Sequence, residues 1–254
     1  MFTLGLVSIS FRKNTVEEIL DACLKAGLSA IEWGSDVHVP VGDLARAAEV
    51  KGLTEKAGMT VAAYGSYYKL GEEGNDEAKM RAYLATAKAL GAPMMRIWGG
   101  KTSSDRLLKA QKAAFVAEMK QLAAIAKEYG VTVCLECHRD TLTDEYHNTL
   151  AFLEAVGADN VGCLWQPLQS RTEGYNLDAA AAHAAFSRHI HVFHWDSDTR
   201  YPLAEGVSVW QRYLTPFLGT DTNLMLEFMH DDRLSSLGET ADALRAIVFA
   251  VEKR

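Results

Sequence analysis

Short apolar runs alternate along this chain with longer segments of helical periodicity, and the phase of each run sorts its side chains into two faces. In Val131 to Glu136 the aliphatic Val131, Val133 and Leu135 share one side of an extended strand, leaving Thr132, Cys134 and Glu136 on the other. The run from His189 to His194 puts Ile190 and Val192 together and His189, His191 and Phe193 opposite. Leu224, Leu226 and Phe228 leave Glu227 with Met225, and Val161, Cys163 and Trp165 leave Gln166 with Gly162 and Leu164. Helical segments between such runs end in Gly27, Gly58, Gly91, Gly130 and Gly157, each suited to the left-handed position that closes a helix. The first of these helices carries an apolar stripe of Val16, Ile19, Leu20, Cys23 and Leu24, and Thr15 with Glu18 forms a capping box at its start. The pattern predicts strands near 4–9, 30–33, 60–65, 93–98, 131–136, 161–165, 189–193 and 224–228, with helices between them and a last helix near 238–252. Eight such units in one α/β domain spanning 1–254 make a single (β/α)8 TIM barrel.

If the aliphatic faces meet the surrounding helices, Glu136, Gln166, His191 and Glu227 converge on the axis at one mouth of the barrel. Alternation also points Arg96 and Glu32 inward, and an ion pair between them is favoured over a role for Arg96 in the mouth. Trp98 lies on the same face as Arg96, either as an apolar wall for a ligand or as packing, and Gly99-Gly100 permits close approach of a ligand to the backbone. His189, deeper in the barrel, reads as a hydrogen-bonded core histidine. His138, just past Glu136, can contact substrate or orient a ligand. The segments Pro167 to Asn176 and Asp196 to Gly206 read as polar loops over the mouth, carrying Gln169, Arg171 and Arg200. Asp43, Asp76 and Asp178 read as helix starts, and Lys109, Lys112, Glu118, Lys120 and Lys127 as a solvated face.

Composition narrows the function. With 254 residues, 48% of them hydrophobic, the chain can bury a large core. A net charge of −7 argues against an extended nucleic-acid surface, which needs clustered Lys and Arg. The N-terminus lacks the features of a signal peptide and no apolar stretch is long enough to span a bilayer, so a cytoplasmic protein without membrane contact is expected. The four cysteines suit a reducing compartment, and Cys134 and Cys137 point to opposite faces of their strand rather than forming a redox pair.

The segments Leu135-Glu136-Cys137-His138, Thr141-Leu142-Thr143-Asp144, Asn160-Val161-Gly162, Trp165-Gln166-Pro167, His189-Ile190-His191-Val192 and Pro202 to Gly206 with Trp210 resemble, in order and spacing, the xylose isomerase-like TIM barrels. The opening, with Phe11, Thr15 to Gly27 and Ile31-Glu32-Trp33-Gly34, is similar too, so the resemblance covers nearly the whole chain. That superfamily includes sugar and sugar-phosphate isomerases and epimerases. The resemblance implies one divalent ion, Mn²⁺, Mg²⁺, Co²⁺ or Zn²⁺, held by Glu136, Gln166, His191 and Glu227, with Gln166 where the family has aspartate and Gln169 where a histidine is common. A glutamine amide oxygen ligates a hard cation more weakly than a carboxylate and brings no charge, which favours an anionic substrate or intermediate.

The same residues suit the chemistry independently of the resemblance. Shifting hydrogen between neighbouring carbons of a hydroxy-carbonyl compound requires a base for the C–H proton and stabilisation of an enediolate, and Glu136 and Glu227 are the candidate catalytic carboxylates. His138, Gln169, Trp98 and Arg200 are candidate substrate contacts. The expected partner is a small sugar, keto-polyol or sugar phosphate, and the chain is compatible with a homo-oligomer. Two alternatives stand beside the isomerase or epimerase reading: a dehydratase (lyase) acting on a keto-polyol, and a non-catalytic sugar- or acid-binding barrel with a degenerate metal site.

Overall fold

A computed structural model describes residues 1–253. In chain order the strands are β1 (Phe2–Val7), β2 (Ala30–Gly34), β3 (Thr60–Lys69), β4 (Met94–Trp98), β5 (Thr132–Glu136), β6 (Val161–Trp165), β7 (Ser187–Val192), β8 (Trp195–Asp196), β9 (Thr199–Arg200) and β10 (Thr222–Leu226). The helices are α1 (Val16–Lys25), α2 (Leu44–Lys56), α3 (Glu77–Leu90), α4 (Lys109–Tyr129), α5 (Tyr146–Val156), α6 (Glu173–His183), α7 (Val207–Leu214) and α8 (Leu237–Glu252). Eight parallel strands close a barrel in the order β1-β10-β7-β6-β5-β4-β3-β2, while β8 and β9 form an antiparallel hairpin in the loop after β7. This is the (β/α)8 barrel that the alternation predicted. No helix among the described residues is long and apolar enough to cross a membrane.

Local signals act as expected. The five helix-ending glycines take φ between 62° and 75°, and the Thr15–Glu18 capping box forms in both directions. Asp43 and Asp76 cap α2 and α3. Asp178 does not start a helix: Thr172 caps α6 by accepting from Tyr175 N–H, so Asp178 lies inside it and the loop after β6 is shorter than expected. Glu118 also departs from its expected place on a solvated face. It is buried on α4, accepting from Tyr68 Oη at 2.7 Å and from Gly71 N at 2.9 Å, because β3 runs on to Lys69 and brings these donors over the helix.

The outward strand faces meet the helices in the main core, where Trp165 packs on Trp210, Tyr213 and Phe217. Inside the barrel a smaller apolar cluster of Val7, Ile9, Ala30, Ala62 and Met225 fills the space near the axis. Gly5 is what admits Met225: a Cβ there would stand 2.4 Å from Ala30 O and 2.6 Å from Met225 Cε. Gly5→Ala is therefore expected to destabilise the fold by about 2 kcal/mol, as overpacking against backbone does, read as a lower urea midpoint with unchanged slope.

Candidate active site

Beyond the apolar cluster the barrel interior is charged. β5 ends on Glu136, and Gln166, His191 and Glu227 come from the ends of β6, β7 and β10; these four residues are at most 6% exposed. Parallel register sets them level: Trp98 lies beside Glu136, Glu136 beside Leu164, and Met225 beside His191. The four residues singled out by alternation thus meet at the carboxyl end of the strands, where the loops can cover them.

Arg96 and Glu32 form the floor. The Arg96 Nε donates to Glu32 Oε1 at 3.0 Å and its Nη1 to Glu136 Oε2 at 2.6 Å. The predicted ion pair exists, and it reaches one residue further than predicted. The other oxygen of Glu32 accepts from His189 Nε2 at 2.8 Å and His191 Nε2 at 3.0 Å. His189 is the hydrogen-bonded core residue expected, with its Nδ1 3.4 Å from Asn223 Nδ2.

These contacts set the charges. Burial would raise the Glu32 pKa, but His191 and Arg96 hold it well below the usual carboxylate value. Burial would raise Glu136 also, and Arg96 with the two nearby histidines His191 and His138 brings it down. Desolvation lowers His189, which stays neutral at pH 7. For His191 burial acts downward but is outweighed by Glu227 and Glu32, which raise its pKa to about 10 when no cation competes for the ring.

The donor set fits a divalent cation. Glu136, His191 and Glu227 each offer a ligand atom, all within 4.8 Å of one another. Because Glu32 takes the Nε2–H of His191, the Nδ1 is left as the ligand atom, and it has no hydrogen-bond partner although Glu227 Oε2 is 3.4 Å away. Gln166 donates its amide Nε2 to Glu136 Oε1 at 3.1 Å and to Cys137 O at 2.9 Å, which fixes the amide orientation and leaves Oε1 buried without a partner. Buried lone pairs without donors are what a metal ion satisfies. Nδ1 would give up its proton on binding. Glu32, His189 and His191 also lie within 4.8 Å of one another, but Arg96 holds Glu32 Oε1 and its fixed positive charge opposes a cation there.

The two candidate carboxylates are not equivalent. Both oxygens of Glu136 accept hydrogen bonds, one from Arg96 and one from Gln166. Glu227 pairs with His191, and the residue after it, Phe228, is held at φ 50° with its N–H on Ser10 Oγ at 2.8 Å. A bulky residue in the left-handed region is strained, and here the strain aims the end of β10.

The rim is aromatic. Trp98 stacks on the His138 ring at 4.3 Å between centroids, with Lys69 Nζ 4.8 Å from the Trp98 ring centroid. His138 Nδ1 bonds Arg139 O at 2.7 Å, and Thr143 Oγ1 ties this loop down by donating to Glu136 O. Across the mouth, Arg200 sits 4.7 Å from the Trp195 ring and 4.8 Å from the Phe228 ring and pairs with Asp232. Arg200 is thus spent largely on holding the β8–β9 hairpin to the loop after β10. Gln169 does not join the carboxylates: it lines a separate cavity of about 210 Å³, with Trp195, Asp196, Trp210 and Tyr213 among its walls. Glu32 and the reach of Arg96 to Glu136 were the functional features least visible in the sequence. Their signal was the inward phase of β2 and β4.

The sequence matches the family described as xylose isomerase-like TIM barrel over residues 20–247. An inosose isomerase from Halalkalibacterium halodurans is 28% identical over 128 residues, covering 49% of this chain and 44% of that protein. The chain therefore matches less than half the length of this relative. The crystal structure of the probable 3-DHS dehydratase AsbF involved in petrobactin synthesis from Bacillus anthracis superposes with a TM-score of 0.82 at 16% identity, covering 96% of this chain and 99% of that one. A xylose isomerase-like TIM barrel protein from Mycobacterium smegmatis, in complex with magnesium, gives 0.73 at 14% identity, covering 98% and 97%. At such identities the structural likeness speaks for the fold and leaves the chemistry to the site. With the family match extending over most of the sequence and the closed eight-stranded barrel beneath it, this chain belongs to the xylose isomerase-like TIM barrel family.

Proposed function

We propose that the protein is an isomerase or epimerase of a small sugar, keto-polyol or sugar phosphate, removing a proton next to a carbonyl and passing through an enediolate. The observation that carries this reading is the buried cluster of Glu136, His191 and Glu227, with unpartnered lone pairs on Gln166 Oε1 and His191 Nδ1 beside it. Those four side chains would hold one divalent cation, which when bound supplies Lewis-acid polarisation of the substrate's carbonyl and hydroxyl oxygens. Glu227 takes the C–H proton as a carboxylate; in an isomerisation it returns it to the neighbouring carbon while the hydroxyl proton passes to the former carbonyl oxygen, and in an epimerisation a proton returns to the same carbon from its other face. Glu136 is the poorer base, because Arg96 and Gln166 occupy both of its oxygens and Arg96 helps hold its pKa down; it shapes the site and holds charge. Trp98 and His138 provide a flat wall on one side of the mouth, and Trp195 and Phe228 close the other.

One feature favours a second reading. A site with one carboxylate free to move a proton suits a dehydratase that removes the proton and the hydroxyl from one face as readily as an isomerase, and suits inversion at a single carbon less well. The dehydratase from Bacillus anthracis shares this fold. The test is incubation with a panel of ketoses, keto-polyols and sugar phosphates in D₂O with Mn²⁺ present. Deuterium at the carbon beside the carbonyl, with substrate and product of equal composition, supports the isomerase or epimerase. A product lacking the elements of water supports the dehydratase. No incorporation and no product across the panel would point instead to a binding protein.

A further inference from the structure

Arg96 is 2% exposed, yet only two of its three nitrogens are matched. Nε binds Glu32 and Nη1 binds Glu136, while Nη2 is buried with no partner. A guanidinium is donor-only and permanently charged, so an unmatched N–H in this setting is costly and cannot be relieved by a change of protonation. Two other unpartnered atoms of the same site, Gln166 Oε1 and His191 Nδ1, are lone-pair donors that a cation would satisfy. No cation can satisfy Nη2, which needs an acceptor oxygen.

Only a bare backbone fits against it. Gly65 on β3 lies against the guanidinium: a Cβ there would be 2.8 Å from Arg96 Nη2 and 2.6 Å from Glu32 Oε1. Its φ is not in the left-handed region, so room for neighbours rather than backbone conformation is what requires glycine at this position. The guanidinium is also held rigidly at two points, and burial, which would discharge it, is outweighed by Glu136 and Glu32.

We infer that Arg96 Nη2 is a substrate-binding donor, hydrogen-bonded to the carbonyl oxygen on which negative charge develops when the neighbouring carbon loses its proton. This rests on the proton-transfer reading and deepens it. As the C–H electron pair forms the new carbon–carbon double bond, the carbonyl π pair moves onto oxygen, and Arg96 donates to that oxygen while keeping its own proton. A donor fixed in advance at the point of developing charge stabilises the transition state more than the ground state. The substrate then presents a bare carbonyl or enediolate oxygen at the floor of the mouth, and a substrate with an amine or another donor at that position is rejected.

The test uses glycolohydroxamate, a small anionic enediolate mimic, titrated calorimetrically into protein saturated with Mn²⁺, alongside Mn²⁺ titration of each variant. Arg96→Lys keeps a positive charge near the carboxylates but offers one nitrogen in place of three. It is expected to bind Mn²⁺ within about threefold of wild type and to lose at least about tenfold in hydroxamate affinity. Gly65→Ala, which leaves Arg96 in place and crowds Nη2, is expected to show the same split and decides the matter if Arg96→Lys does not fold or fails to bind Mn²⁺. A purely structural Arg96 would lower metal affinity and leave the mimic's affinity at saturating Mn²⁺ unchanged, and that result overturns the inference. Wild-type protein that takes up no Mn²⁺ overturns the proton-transfer reading itself, and this inference with it.

Discussion

Glu227→Gln is expected to reduce deuterium exchange into substrate by about a thousandfold or more at saturating Mn²⁺, the upper part of the range for loss of a general base. The substitution keeps the shape of a side chain that is 6% exposed and leaves the Arg96–Glu32–Glu136 floor untouched, so the fold is expected to persist. Running the assay at saturating metal separates the two roles of this residue, since Mn²⁺ affinity is also expected to fall. Exchange at the wild-type rate in this variant would move the base elsewhere, first to Glu136. The strained Phe228 next in the chain, at φ 50° with its N–H on Ser10 Oγ, fixes the direction of Glu227.

Arg96→Met should have the largest effect on stability. It leaves Glu32 and Glu136 buried without their common cation, and breaking a buried ion pair from one side costs about 3–5 kcal/mol. For a chain of this size that is a fall in melting temperature of roughly 10 °C. The pH dependence follows from the depressed pKa values of both carboxylates in the intact protein. Their ionised forms stabilise the wild type above the unfolded-state value near ~4.3, and that contribution is lost as pH falls through the folded-state values. In the variant the two carboxylates lose the charge that kept them ionised, so the gap between variant and wild type is expected to be widest near neutral pH and to narrow towards pH 4. A gap independent of pH would mean that Arg96 acts through packing alone.

The barrel was legible because its signals are local. Strand alternation gave the inward phase of Glu136, His191 and Glu227, and helix-ending glycines such as Gly91 and Gly130 marked the units. Gln166 was legible too, even though it lies one residue past its strand. What the sequence could not supply was partner choice across the barrel. Glu32 and His191 are 159 residues apart, and only closure of the sheet brings the carboxylate onto the imidazole Nε2. The same holds for Glu118, whose charge suggested solvent until the extension of β3 placed Tyr68 and Gly71 N–H groups against it. The candidate substrate contacts Gln169 and Arg200 were harder to place from the sequence for a further reason. Both lie in loops, where alternation carries no phase, and Arg200 is held by Trp195, Phe228 and Asp232 at the rim.

Glutamine in place of aspartate at position 166 takes on a physical meaning from its contacts. Its amide N–H groups reach Glu136 and the Cys137 carbonyl, two acceptors that a carboxylate would repel. With Glu32, Glu136 and Glu227 ionised and Arg96 positive, a divalent cation beside neutral histidines would bring the site to neutrality, which an aspartate would upset.

A cation site formed by Glu136, Gln166, His191 and Glu227 underlies the proposed function. Its most direct measurement is calorimetric titration of metal-stripped protein with Mn²⁺, wild type beside His191→Ala. One ion bound per chain is expected in the wild type and loss of that binding in the variant, because the unpartnered imidazole nitrogen beside Glu136 and Glu227 would be gone. Binding of equal stoichiometry and affinity in both proteins, or none in the wild type, would contradict it.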